Sequence, residues 1–74
     1  MRLADVVRHV VRRYFDDMGE TQPDNLHKLV MNEVERSLIE TVLVHADGNQ
    51  SRAAEMLGIT RTTLRNRVRR YQLD

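Results

Sequence analysis

With 74 residues the chain has room for one domain, and a monomer of that size buries only roughly 60% of the surface its unfolded chain exposes. It contains no cysteine and no Cys/His cluster, so neither disulfides nor structural zinc can make up the deficit, and association into an oligomer is the remaining device. The net charge of +1 hides an uneven distribution: residues 1–49 carry six basic against nine acidic side chains, a balance of −3, and residues 50–74 carry six arginines against two carboxylates, +4.

The N-terminal MRLADVV lacks the apolar stretch of a signal peptide, and no run of about 18 apolar residues occurs. A cytoplasmic protein with no membrane contact is expected. Leu3, Val6, Val7, Val10, Val11, Tyr14, Phe15 and Met18 follow the i, i+3, i+4, i+7 rule, which predicts an amphipathic helix over residues 3–18. Valine is a mediocre helix former, so packing must hold this helix. Gly19 is a plausible stop.

A second helix is expected from Pro23–Asn25 to about Ala46, with Asp24 or Thr21 as its cap and Pro23 in its first turn. Leu26, Leu29, Val30 and Val34 form one stripe. From Leu38 the pattern broadens to Ile39, Val42, Leu43 and Val44. A helix apolar on more than one side must be covered on more than one side, and one short neighbour cannot do that. The expectation is a homodimer with a four-helix core, two helices from each chain, with Val7, Val11, Phe15, Val30, Val34, Leu38 and Val42 at the interface.

Asp47-Gly48-Asn49 breaks the helix, with Gly48 where a C-terminal glycine belongs and Asn49 where the next N-cap belongs. A third helix over about residues 50–57 has small Ala53 and Ala54 for a close crossing. Gly58-Ile59-Thr60 is the turn: Gly58 tolerates positive φ, Ile59 plugs the core and Thr60 caps the fourth helix. That helix covers about residues 61–71, with Leu64, Val68 and Tyr71 inward. Leu73 is expected to pack behind it. The whole chain, 1–74, is then one all-α domain of four helices, with dimerisation helices over about 3–46 and a helix-turn-helix over about 50–71.

At ~100° per residue, Thr62, Arg65, Asn66 and Arg69 fall opposite the inward stripe of the fourth helix, while Arg61, Thr63 and Arg70 flank it. This is the layout of a recognition helix whose first turn meets base edges and whose later residues meet phosphates. Arg61 and Arg65 suit bidentate contact with guanine. Ser51 and Thr63 place hydroxyls at exposed helix starts, within reach of phosphates. Asn49, Arg67, Arg69 and Arg70 add attraction independent of sequence.

Gly48-Asn49-Gln50-Ser51-Arg52-Ala53-Ala54, then Met56-Leu57-Gly58-Ile59-Thr60-Arg61-Thr62-Thr63-Leu64-Arg65, then Tyr71, resembles the Fis family of bacterial nucleoid proteins. The same helix-turn-helix ends many enhancer-binding activators of the nitrogen-regulator type. Tyr14-Phe15, Leu29-Val30 and Glu33-Val34-Glu35 extend the likeness upstream, over essentially the whole chain. The resemblance implies a nucleoid-associated homodimer that binds and bends DNA. Its recognition helices would sit closer together than one turn of straight B-DNA, favouring a site with an A/T-rich, bendable centre. It also implies that Arg61 contacts a guanine near each end of the site. Asn49, Ser51, Thr63 and Arg65 would occupy phosphate or base-edge positions, and Arg67, Arg69 and Arg70 the basic flank.

Three departures qualify the likeness. Thr60 and Asn66 are also candidate DNA-binding residues, but Thr60 stands where the best-known member has Asn, which implies a lost or altered base contact, and Asn66 where it has Lys, which removes a positive charge from the recognition face. The longer enterobacterial form also carries a β-hairpin arm ahead of the first helix that stimulates a site-specific invertase, and the expectation here is a protein without that stimulation.

Competing readings carry less. A charge run is usually a solvated helix face, but the preceding Ala-Ala and glycine turn argue against that for Arg61 to Arg70. His9, His27 and His45 have no carboxylate constellation around them, so no metal or other cofactor is expected. Ser51 lacks a base and an oxyanion hole, so no catalysis and no small-molecule substrate are expected either. The alternative from another class is a dimerisation or protein-interaction module, for instance the excised tail of a larger activator. Met1 followed at once by a full core helix favours an independent protein.

Overall fold

The computed structural model describes residues 1–20 and 24–74. Four α-helices follow one another: α1 (Leu3–Met18), α2 (Leu26–His45), α3 (Gln50–Leu57) and α4 (Arg61–Tyr71). No strand occurs among the described residues. The expected all-α class with four helices per chain is what forms. The chain divides into two compact units, residues 1–30 and 31–74.

In the first unit, α1 opens with Asp5 in its first turn, where a carboxylate complements the N-terminal partial charge. Asp5 also pairs with Arg8 at 2.9 Å, but both side chains are well exposed, so the pair adds little. Gly19 ends the helix at φ 60°, its N–H reaching the carbonyls of Phe15 and Asp16. No side chain of α1 is buried. Val7, Val10, Val11, Tyr14 and Met18 are half-buried, and Phe15 is 47% exposed.

The start of α2 falls at Leu26, where the Asn25 carbonyl accepts the first helical bond, from Leu29 N–H at 3.1 Å. That is one residue beyond the expected Asp24 cap. The other proposed elements of this start, Thr21 and Pro23, lie outside the described residues. Ser37 and Thr41 donate their hydroxyls to the carbonyls of Glu33 and Ser37, so neither competes with the helix.

The core lies in the second unit. Ile39 and Ala46 from α2 and its end, Ala53 and Ala54 from α3, and Leu64, Val68 and Tyr71 from α4 are all buried. Val42, Leu43, Leu57, Ile59 and Leu73 pack around them. Ala53 is fully enclosed, so the α3–α4 crossing leaves no room beyond a methyl group. Ile39 is covered by its own chain, and Val42, expected at the dimer interface, lies half-buried beside that same core. The broad apolar pattern of α2 arises because its C-terminal half is the third wall of the helix-turn-helix.

Three helix ends share one hydrogen-bond pattern. After α2, Asp47 N–H bonds Val44 O and Gly48 N–H bonds Leu43 O. After α3, Gly58 N–H bonds Glu55 O and Ile59 N–H bonds Ala54 O. After α4, Gln72 N–H bonds Arg69 O and Leu73 N–H bonds Val68 O. Each pair is the 5→2 and 6→1 closure of a Schellman motif, and its pivot is left-handed: Asp47 at φ 54°, Gly58 at φ 72° and Gln72 at φ 56°. The pivot after α2 is therefore Asp47, one residue earlier than the expected Gly48, and Gly48 follows at φ 78°. Ile59 and Leu73 occupy the position after the pivot, from which each folds back on the core as expected.

Candidate nucleic-acid interface

The geometry of the helix-turn-helix begins with the caps of its two helices. Asn49 Oδ1 accepts from Arg52 N–H at 3.1 Å and starts α3. Thr60 Oγ1 accepts from Thr63 N–H at 3.1 Å and starts α4. Each such cap is worth about 1 kcal/mol. Thr60 Oγ1 also donates to Thr63 Oγ1 at 2.9 Å. The Thr60 hydroxyl is thus committed within the turn, while the Thr63 hydroxyl has accepted one bond and keeps its own proton for an outside acceptor.

From Arg61 to Tyr71 the sequence RTTLRNRVRRY contains five arginines and no carboxylate. Burial of Leu64, Val68 and Tyr71 turns the opposite face outward, and Arg61, Thr62, Arg65, Asn66, Arg69 and Arg70 are all exposed. Thr63 and Ser51 are half-buried at the starts of α4 and α3. Neither helix has an acidic residue in its first turn. At the start of α4 the cationic Arg61 therefore adds to the positive end of the helix, a combination that an external anion relieves. Arg69 and Arg70 lie in the last turn, where cations also suit the helix dipole.

Arg67 stands apart from the other arginines. Its Nε lies 3.1 Å from Glu35 Oε1 on α2, and its side chain is only 28% exposed. The buried Nε has no aligned hydrogen-bond partner, so the contact is an ion pair rather than a directed hydrogen bond. The same Glu35 Oε1 accepts the Tyr71 hydroxyl at 2.5 Å. Asn32 Oδ1, at 3.4 Å from that hydroxyl, is peripheral, since the single phenolic proton goes to Glu35. The Tyr71 bond, followed by Arg67 and Arg70, holds the Glu35 carboxyl below its ordinary value against an opposing desolvation. Burial, and then the bond to Glu35, push the Tyr71 phenol up.

Of the residues singled out from the sequence, the fold gathers Ser51, Arg61, Thr63, Arg65, Asn66, Arg69 and Arg70 on α3 and the outward side of α4. Asn49 and Thr60 serve as caps. Arg67 is drawn to α2 instead of standing free on the basic flank. The Glu35–Tyr71–Arg67 cluster is the feature that periodicity missed. Its available signal was an arginine four residues before an inward tyrosine, which places both on one side of α4.

A family model described as "Bacterial regulatory protein, Fis family" matches residues 30–71. The chain is 45% identical over 71 residues to a putative Fis-like DNA-binding protein of Xylella fastidiosa (strain Temecula1), covering 96% of this chain and 79% of that protein. It is 41% identical over 69 residues to the DNA-binding protein Fis of Glaesserella parasuis serovar 5, covering 93% and 70%. It is also 38% identical over 72 residues to the DNA-binding protein Fis of Proteus mirabilis, covering 97% and 74%.

Proposed function

The chain belongs to the Fis family of bacterial regulatory proteins, and from that premise we propose that it is a homodimeric regulator that binds and bends double-stranded DNA. The observation that carries the reading is α4: five arginines without a carboxylate, on a helix whose other face is buried. Arg61 and Arg65 read base edges, and Thr63 and Ser51 bond phosphates. Arg69 and Arg70 supply attraction that is blind to sequence. The role is non-enzymatic.

The second copy is supported by apolar surface that one chain leaves uncovered. No residue of α1 is buried, and Phe15 is half-exposed. On α2, Val34 is 41% and Leu38 51% exposed, four residues apart on one face. In water such faces favour covering, here by the same faces of a partner. With two α4 helices at a fixed separation, a site with a deformable A/T-rich centre would bind best. No helix among the described residues is long and apolar enough to cross a membrane. The likeness to DNA-binding proteins of the Fis family supports a place with the nucleoid in the cytoplasm.

Titration of a duplex in a gel-shift assay across ~50 to ~200 mM salt tests the reading. Affinity falls steeply as several arginines per subunit release counterions. A flat response would instead favour a protein partner for α4.

A further inference from the structure

Glu35 lies on α2, next to exposed Val34 and one turn from Leu38. Its Oε1 receives the Tyr71 hydroxyl at 2.5 Å and faces Arg67 Nε at 3.1 Å. Tyr71 and Arg67 are one turn apart in the C-terminal half of α4. One carboxylate therefore ties two side chains of the recognition helix to a single point on another helix, across 36 and 32 positions of sequence. Leu64, Val68 and the Tyr71 ring also hold α4, through apolar contacts that resist separation but carry less directional preference than a hydrogen bond.

Resting on the DNA-binding role of α4, we propose that Glu35 is a positioning residue for DNA recognition. It fixes the angle of α4 through Tyr71 and holds Arg67 off the phosphates. Arg61 lies ten residues from Tyr71, about 15 Å along the helix, so a tilt of ~10° at the Tyr71 end moves Arg61 by roughly 2.6 Å. A bidentate guanine contact does not survive such a shift. The two actions have separate signatures. Loss of the tilt restraint lowers binding to the right sequence only. Release of Arg67 raises attraction to any duplex and steepens its salt dependence.

The test measures affinity for a duplex with an A/T centre and a G·C pair near each end, and for a mixed-sequence duplex, at several salt concentrations. Glu35→Ala is expected to lower the ratio of the two affinities roughly tenfold, the order of one lost base contact. It should also steepen the salt slope by about one per subunit as Arg67 is freed. Tyr71→Phe keeps the buried ring and should lower the ratio with the slope unchanged. Arg67→Gln should leave the slope as it is, because Arg67 is already neutralised, whereas Arg70→Gln should reduce it. Circular dichroism melting establishes that each variant is folded at the assay temperature, and Tyr71→Phe remains decisive if Glu35→Ala unfolds. A parallel fall of both affinities in Tyr71→Phe, or an Arg67→Gln slope that drops as far as that of Arg70→Gln, overturns the inference. Native protein without affinity for either duplex would refute the DNA-binding role itself.

Discussion

The sharpest stability prediction concerns the turn before the recognition helix. Gly58 sits at φ 72°, and a Cβ built there meets nothing within 4 Å. Substitution by alanine is therefore free of clash, and its cost is conformational. An L-residue in the left-handed region costs roughly 1–2 kcal/mol. Restriction of the unfolded chain returns about 0.4–1 kcal/mol. The net loss for Gly58→Ala is about 1 kcal/mol. The chain supplies its own control, because Gln72 holds the same pivot of the same motif at φ 56° with a side chain present. Gln72→Gly should gain about 1 kcal/mol by the same arithmetic run backwards. Asp47→Gly should gain less, since aspartate tolerates this region better. For a chain of this size each kcal/mol moves the melting temperature by about 4–8 °C. Melting curves at one fixed protomer concentration check the series. Equal melting temperatures for native protein and Gly58→Ala would refute the conformational reasoning, as would a Gln72→Gly variant that melts lower.

Acid and alkali should each weaken the fold through the Glu35–Tyr71 contact. The Glu35 carboxyl is lowered from 4.5 in the folded chain, so the unfolded state takes up its proton first and stability falls as pH drops below about 4.5. The Tyr71 phenol is raised from 10.0, so the unfolded state loses its proton first and stability falls as pH rises above about 10. Denaturant titrations of Glu35→Gln should show a flatter acid limb, and an unchanged one would contradict the linkage. Arg61→Ala should weaken specific binding by roughly 1–3 kcal/mol with little effect on mixed-sequence DNA, while Arg70→Ala weakens both alike. Equal effects of the two in a competition assay would dissolve that division of labour. Leu38→Asp should yield a folded monomer in sedimentation, because Leu38 is half-exposed in its own chain. Val42→Asp should unfold the chain, because Val42 packs on the helix-turn-helix core. A dimeric Leu38→Asp variant would place the interface elsewhere.

Local chemistry made much of this fold legible. The valine repeat marks α1, and Asn49, Gly58 and Thr60 act through neighbours three or four residues away, so their roles follow from spacing. Leu64, Val68 and Tyr71 were readable as one face of one helix. The gaps came from contacts between distant segments. Apolar residues on two sides of α2 state that two coverings exist without saying what provides them. Ile39, Ala46 and Val42 belong to or pack against the core that α3 and α4 help to form, so the same chain provides one of those coverings. The charge of Arg67 was visible, but its ion pair with Glu35 spans 32 positions and leaves no periodic trace. The left-handed Asp47 leaves no mark in the sequence, because the adjacent Gly48 is the commoner choice for that conformation.

Stoichiometry and centre preference can be read together. The native protein is titrated against two duplexes that share their end sequences, one with an A/T-rich centre and one with a stiffer G/C-rich centre. Two chains per duplex and markedly tighter binding to the A/T-centred one are expected from paired α4 helices that require a bend. One chain per duplex, or indifference to the centre, would contradict a dimer that selects DNA by its ability to bend.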